Sequence, residues 1–553
     1  MLINVVVRNS YHDSVFLMSI ASKVKALAGV REVSCVMGTE ENQRILDGAG
    51  LLGDNGKTAG PNDLVVAVLA ETAEVAAEAV RTATDLLARK PSGTTGAEAP
   101  PRTLQGALER QPASNLALIS VPGRYARVQA EEALRRGLHV FLFSDNVSVA
   151  DEVALKTLAR PLGLLVMGPD CGTALLSGAA VGFANRVRRG NIGIVAAAGT
   201  GLQEVSCLIH RLGGGVSQGI GTGGRDLTEA VGGMTMLQGM AMLEEDPQTE
   251  VIVLVSKPPA RSVAEKILAT ARTGRKSYVV GFVGSTGGPD QGNLAFAPTL
   301  AETAAKAVGR AGISGACMST GMVQSAPEEN LLAAGLSAPG RPEPGGHALL
   351  AEASAELTLP DDICLDGMPQ ADPEKLAAGL APGRRFLRGL YSGGTLCYEA
   401  EHLLRSRLPG VFSNISHDPA RRLADPKRSQ GHTLLDLGDD EFTVGRPHPM
   451  IDFTLRNDRI VREASDPGTA VILIDVVLGY GSHADPAAAL APALAEAGRV
   501  GVPVVAALCG TDLDPQGFSR QMAALRASGA IVCAANAHAV RFAAGIAAIA
   551  GRS

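Results

Sequence analysis

Short apolar runs rich in β-branched residues alternate along this chain with longer stretches whose apolar positions fall at helical spacing. One run, Ile192–Ala197, leads into Gly199-Thr200-Gly201, and the following LQEVSCLIHRL is apolar at helical spacing. The pattern predicts strand, tight glycine turn and helix. Thr200 with Gln203 fits a capping box, which places the helix start at Thr200. Such a turn aims free backbone N–H groups and the positive helix end at whatever lies above it, favouring phosphate or carboxylate. An ordinary βα turn has the same pattern.

The pattern returns further along. Phe386–Tyr391 followed by SGGTLCYEAEHLLRS repeats strand, glycine turn (Gly393-Gly394-Thr395) and helix, and aligning Gly199-Thr200 on Gly394-Thr395 superposes Glu204 on Glu399. Downstream, EDPQTEVIVLV from Glu245 matches SDPGTAVILID from Ser465, and the glycine loop PDQGN matches DPQGF. Two segments that share one order of motifs read as tandem α/β domains.

The rest follows by the same reading. Strands at Leu2–Val7, Val30–Met37 and Asp63–Leu69 alternate with helices at Ser14–Leu27, Glu40–Ala49 and Thr72–Ala88, which gives a small α/β domain over residues 1–90. Residues 91–112 form a Pro/Gly/Ser-rich linker with a short helix at its end. Residues 113–185 alternate strand and helix, so a parallel sheet is expected. Its strands end in small or polar clusters: Pro122-Gly123, Ser144-Asp145-Asn146 and Gly168-Pro169-Asp170. In open α/β sheets ligands bind at the carboxyl ends of the strands, so these clusters outline a crevice. The first repeat covers 186–312 and carries a further glycine loop, Gly221 to Asp226, with Gly223 and Gly224. A Pro/Gly/Ala-rich connector covers 313–383, and the second repeat covers 384–553.

A chain of 553 residues exceeds one core, and several domains are expected. The net charge of −6 gives no basic surface for nucleic acid or anionic membrane. Eight scattered cysteines without a CxxC pair point to reduced, buried thiols and no structural zinc. The start, MLINVVVRN, lacks a signal-peptide pattern, and no apolar run is long enough for a membrane span. A cytoplasmic protein is expected.

Several polar residues have plain readings beside chemical ones. His12 and Asp13 suit a turn as well as a ligand contact. His417-Asp418 and His448 read as turn or hydrogen-bonded residues before catalytic ones. Asp439, Asp440 and Glu441, with Asp452, match no metal spacing and read as a solvated acidic loop. The loop Gly479-Tyr-Gly-Ser-His483 has no assigned role. Cys171 reads as a buried filler.

The series SVPG, FSDN, MGPDCGT, IGIVAAAGT, GIGTGG and DPQTEVIVLV resembles the alpha subunit of succinyl-CoA synthetase over residues 113–312, and less closely over 384–553. The spellings MGPDCGT, GGRDL, VSKPPA and SHADP resemble the FdrA group of that acyl-CoA synthetase superfamily along the whole chain. The resemblance implies an α/β multidomain fold: a Rossmann-like CoA-binding-type domain at 113–185, then tandem flavodoxin-like domains with parallel sheets. CoA or phosphate comes with it as ligand, and other protein subunits and an oligomer as partners.

The departures from that family bear on activity. The synthetases phosphorylate a histidine in a Gly-His loop; here the matching positions are Asn293 and Phe518. The glutamate that holds that histidine is replaced by Lys257 in the first repeat and Val477 in the second. What remains is a phosphate-cradling frame without the covalent relay. The FdrA resemblance implies a subunit of an oxamate carbamoyltransferase in allantoin and purine breakdown, acting on a small anionic substrate. Gly199, Thr200, Gly201, Gly223, Gly224, Gly393, Gly394 and Thr395 would hold the anion, with Lys257 and Arg225 as cations. An acyl-CoA ligase subunit and a non-catalytic scaffold that binds CoA or phosphate are the alternatives.

Overall fold

The computed structural model describes residues 1–88, 101–313 and 371–552, apart from residues 11, 13, 286–287 and 444–446. Most of the expected connector therefore lies outside the described residues; within its described end there is one short helix, Pro373–Ala378. The chain forms two compact units, one of Met1–Pro112 with Gly438–Asp452, the other of Ala113–Leu437 with Phe453–Ser553. Among the described residues no helix is long and apolar enough to cross a membrane.

The smaller unit holds β1 (Leu2–Val7), β2 (Val30–Met37) and β3 (Leu64–Ala70) in one antiparallel sheet of order β1-β3-β2. Central β3 is apolar throughout because both of its faces are covered. Leu64, Val66 and Val68 meet Leu17, Ile20 and Ala76 of the helices Ser14–Lys25 and Ala73–Ala88. Val65 and Ala67 turn the other way, onto Leu46 and Leu51.

The larger unit contains three sheets. The first is parallel: β4 (Leu116–Ile119), β5 (His139–Leu142) and β6 (Val166–Met167). A hairpin, β7 (Thr173–Leu176) and β8 (Ala179–Gly182), follows; its Ala/Gly-rich sequence gave no strand signal. Then come β9 (Arg189–Ala196), β10 (Val216–Gly221), β11 (Val251–Ser256), β12 (Ser277–Phe282) and β13 (Leu294–Phe296). These join the hairpin in a seven-stranded sheet of order β13-β12-β11-β9-β10-β7-β8. The third sheet is parallel throughout: β14 (Phe386–Tyr391), β15 (Val411–Ser413), β16 (His432–Asp436), β17 (Thr469–Val477), β18 (Val504–Cys509) and β19 (Ile531–Cys533), in the order β15-β16-β14-β17-β18-β19.

The two large sheets are copies of one plan. The order β13-β12-β11-β9-β10 maps onto β19-β18-β17-β14-β16, the flavodoxin-like order. Even the turn before the third strand of each copy is the same. Thr249 N donates to Asp246 O and Thr469 N to Asp466 O, both at 3.1 Å. The same aspartates accept side-chain bonds from Gln248 N at 3.0 Å and Gly468 N at 2.8 Å.

The three-stranded sheet shares its core with the first copy: Phe141 and Met167 belong to the same apolar cluster as Val195, Leu254 and Phe282. A buried charge chain reinforces the join. Lys156 Nζ lies 2.8 Å from both Glu152 Oε1 and Asp226 Oδ1 and donates to Thr222 O at 3.1 Å, and Arg225 lies 3.0 Å from Glu152. Asp226 also accepts from Thr235 N and Met236 N at a helix start. Glu152, Lys156 and Asp226 are 0–2% exposed, so removing one partner strands a charge away from water. We expect Lys156→Ala to cost about 3–5 kcal/mol in denaturant unfolding of this unit, against no measurable loss for exposed Lys266→Ala in the same unit; equal small losses would count against a cooperative buried network.

Candidate functional site

The helices after the two glycine turns, Gly199–Arg211 and Gly394–Arg405, run side by side between the repeats. The residues from Gly201 to Ile209 are all buried, so this helix is covered all round rather than on one face. Its start differs from the expected capping box. The helix begins at Gly199 with Ala198 as N-cap and no side-chain cap, because Gln203 Nε2 is drawn to Asn185 Oδ1 at 3.1 Å.

The two turns abut. A Cβ built on Gly393 would lie 2.8 Å from Thr200 Cγ2, and one on Gly201 would lie 3.1 Å from Thr395 Cγ2. The first internal bonds are Leu202 N to Ala198 O and Cys397 N to Gly393 O. The N–H groups of residues 199–201 and 394–396 therefore have no acceptor within their helices. Gly199 is exposed and Thr200 half-buried, whereas Gly393 and Thr395 are buried.

A reciprocal pair of carboxylates holds the turns together. Glu204, in the first repeat's helix, accepts from Asn536 N at 3.0 Å, where the second repeat's last helix begins. Glu399, in the second repeat's helix, accepts from Leu300 N at 2.7 Å, where the first repeat's last helix begins. Asn536 Nδ2 joins the two by donating to Glu399 Oε2 at 2.8 Å. Burial pushes both carboxyls up, Glu399 to about 7, despite the bonds that favour the charged form.

The second turn is braced from below. Asp475 is fully buried and accepts from Ser392 N, Ser392 Oγ and Gly393 N at 2.7–2.9 Å. Arg456 donates to Asp475 Oδ1 at 2.8 Å and to its carbonyl at 2.7 Å. The mouth of this turn holds Asp436, whose Oδ2 lies 2.5 Å from a Cβ built on Gly394. Lys257, at the end of β11 in the first repeat, brings its Nζ within 3.6 Å of the same point. Its ammonium makes no hydrogen bond or ion pair with a described residue. Two helix starts, one cation and one carboxylate thus meet where the repeats join.

The other anticipated anion residues lie elsewhere. Gly223 packs on the strand-end clusters, with a built Cβ 2.4 Å from Pro169 O. Gly224 is exposed. Arg225 is held by Glu152 and by Val147 O at 2.8 Å, so it braces the join described above rather than facing the glycine turns. The clusters Pro122-Gly123, Ser144-Asp145-Asn146 and Gly168-Pro169-Asp170 do converge on one sheet edge. They close on one another: a Cβ on Gly123 would lie 2.3 Å from Asp145 O, and Asp170 N donates to Ser144 O at 3.0 Å. Gly123 serves loop packing there, so these residues do not fit a glycine cradle for the pyrophosphate of coenzyme A.

Asn293 donates through Nδ2 to Ala271 O, Gly274 O and Lys276 O at 2.8–3.2 Å, at the amino edge of the sheet, opposite the glycine turns. Phe518 lies under the Arg211 guanidinium, 4.4 Å from ring centroid to Cζ, and Val477 is buried at the end of β17. His417 is exposed on the loop after β15 and its ring meets Tyr398 at 5.9 Å between centroids. Asp418 pairs with Arg421 at 3.2 Å, so the two neighbours form no dyad. Cys171 is a buried filler whose thiol burial pushes up to about 12. His12 bonds Ser10 Oγ at 3.0 Å, and Asp13 lies outside the described residues. Asp439 caps its own turn through Glu441 N, and His448 Nδ1 accepts from Met450 N. Among the described residues no group of three His, Cys, Asp or Glu could hold a metal. Sequence reading missed Lys156, Asp436, Asp475 and Arg456, which sit inside ordinary helix and strand patterns.

Residues 1–102 match the model of the AllF heavy metal-associated domain, residues 187–284 that of the CoA binding domain, and residues 390–546 that of CoA-ligase. The CoA-binding match falls on the first repeat rather than on residues 113–185. The described residues of the smaller unit do not fit a heavy-metal site, since Cys35 is buried on β2 without a second cysteine beside it. The uncharacterized protein YahF of Escherichia coli K12 is 42% identical over 536 residues, 96% of this chain and 95% of its own length. The subunit alpha 2 of an ADP-forming succinate–CoA ligase from Archaeoglobus fulgidus is 26% identical over 197 residues, 35% of this chain and 67% of its own. The corresponding alpha subunit from Aquifex aeolicus is 30% identical over 154 residues, 27% of this chain and 49% of its own.

Glu399 makes stability depend on pH. The unfolded carboxyl titrates near 4.5 and the folded one near 7. Between those values the folded chain keeps a proton that the unfolded chain has released, so this contribution is full below about pH 4.5 and lost as pH rises to about 7. The loss is on the order of 2–4 kcal/mol. Glu399→Gln cannot ionise. Its stability relative to the parent, from denaturant unfolding at pH 5 and pH 8, should rise with pH; a flat difference would contradict the assignment.

Proposed function

Since the chain belongs to the FdrA-type acyl-CoA synthetase-like family, we propose that it is the anion-holding subunit of an oxamate carbamoyltransferase. That enzyme interconverts oxalurate plus phosphate with oxamate plus carbamoyl phosphate. The observation that supports this reading is the meeting of the exposed first helix start with the Lys257 ammonium, which no described residue pairs. The match to a domain described as AllF's supports a place in allantoin breakdown.

Transfer of this kind is direct. A phosphate oxygen attacks the carbamoyl carbon of oxalurate and forms the new C–O bond. The C–N bond to the oxamate half breaks, and the departing nitrogen takes the proton that the phosphate loses. No phosphorylated side chain is required. The chain's part is electrostatic: N–H groups of residues 199–201 hold phosphate, and Lys257 offsets the charge that builds on the attacked carbonyl oxygen. Asp436 fills the second helix start, so the first turn, with exposed Gly199, receives the external anion. Partner subunits supply what this site lacks, as the succinate–CoA ligase relatives are themselves named as subunits.

The second reading is an acyl-CoA ligase alpha-like subunit that is phosphorylated at another histidine. Exposed His417, on the same strand-end edge as Gly393–Thr395, is the observation in its favour.

Two outcomes separate the readings. In the complex copurified with its native partners, phosphate-dependent cleavage of oxalurate should fall about 100-fold in kcat/KM with Lys257→Met, the loss typical of removing one preorganised charge, and persist in His417→Ala. Acid-labile label from γ-labelled ATP, lost in His417→Ala, would establish the ligase reading instead.

A further inference from the structure

The loop Gly479-Tyr480-Gly481 has no part in the site above, yet it is built with care. Gly479 and Gly481 both have positive φ, at 112° and 82°, which side-chain-bearing residues rarely adopt. Both are also pressed against residues 183–185. A Cβ on Gly479 would lie 2.6 Å from Ala184 O, and one on Gly481 2.8 Å from the Phe183 ring. Tyr480 N donates to Ala184 O at 2.9 Å in an isolated bridge. The clamp leaves the Tyr480 side chain out in solvent, 43% exposed.

Beside it stands Arg186. Its backbone is fixed on both sides, N to Asp514 Oδ1 at 2.7 Å and O from Thr511 Oγ1 at 2.6 Å. Its guanidinium is exposed and makes no hydrogen bond or ion pair with a described residue. Arg188 and Arg189 bond to carbonyls and to Gln248 rather than to carboxylates. Three arginines without an acidic partner among the described residues thus follow closely along a chain whose net charge is −6.

Tyr480 and Arg186 line one groove of about 450 Å³ with Gly178, Ala179 and Ala180. That volume lies within the ~300–1,000 Å³ of small-ligand sites. The last three residues belong to the β7–β8 hairpin, and β8 is the outermost strand of its sheet. Its outer edge offers backbone N–H and C=O groups without a strand partner. The groove therefore combines an exposed aromatic ring on a clamped backbone, a guanidinium fork that no described residue pairs and a sheet edge with hydrogen-bonding groups. A ring stacks a planar base, a guanidinium grips phosphate, and a strand edge pairs with the polar rim of a base.

We propose that this groove binds a nucleoside phosphate, with the base stacked on Tyr480, its edge on β8 and the phosphate on Arg186. The site is separate from the glycine turns and does not depend on the carbamoyltransferase reading.

The test is calorimetric titration of the full chain with AMP, with adenosine and inorganic phosphate as partial probes. AMP should bind more tightly than either part. Tyr480→Ala should weaken AMP at least about tenfold, the effect of losing one stacked base. Tyr480→Phe, which keeps the ring, should restore it. Arg186→Gln should weaken AMP but leave adenosine unchanged. Lys257→Met, at the glycine turns, should leave AMP affinity as it is. Absence of AMP binding at millimolar concentration would overturn the proposal. So would AMP affinity that is lost in Lys257→Met and indifferent to Tyr480 and Arg186. Coenzyme A binding that tracks both Tyr480 and Arg186 would identify its nucleotide end as the natural occupant.

Discussion

The architecture of the larger unit turns on two hydrogen bonds that each cross between the repeats. Glu204 caps the second repeat's last helix and Glu399 caps the first repeat's last helix. A carboxylate at a helix start is favourable, but here both carboxylates are buried and held near one another through Asn536. Each bond has a defined direction and a defined partner. Together they leave the repeats one relative placement, and that placement brings the two glycine turns face to face. The clamp costs charge burial, which is visible in the raised Glu399 carboxyl. The meeting sets Lys257 and the second turn beside the exposed first turn, whereas separated turns would be two unrelated helix ends.

Much of this was legible in the sequence, because repetition is a strong signal. The paired glycine turns, the DPxT turns and the shared Glu204/Glu399 position led to two parallel sheets of one order. The reciprocal use of those glutamates was hidden, since their partners, Leu300 and Asn536, are backbone N–H donors far along the chain. The β7–β8 hairpin was missed because ALLSGAAVG is too short and too rich in Ala and Gly to show a period. The capping box at Thr200 failed because tertiary contact took Gln203 away to Asn185.

Glycine-rich loops were the least decisive feature. A glycine permits close approach, and sequence does not say of what. At Gly223 and Gly123 the approaching group is the chain's own backbone, at 2.4 and 2.3 Å from a built Cβ. At Gly393 it is the opposite turn, and at exposed Gly199 it is the Thr173 hydroxyl, 3.3 Å from a built Cβ. Lys257 was legible as a departure from the synthetase pattern, and it does reach the turns. Arg225 looked equivalent but stands in a buried charge chain with Glu152 and Lys156. Sequence offers a cation; its carboxylate partners decide whether that cation remains available.

Phosphate titration tests most directly whether the first turn, with Lys257, holds the anion. Calorimetric titration of the full chain with inorganic phosphate at low salt should fit one site at the first turn, and that site should be lost in Lys257→Met and in Gly199→Val. Two equal, independent sites, or a single site indifferent to both substitutions, would contradict that assignment.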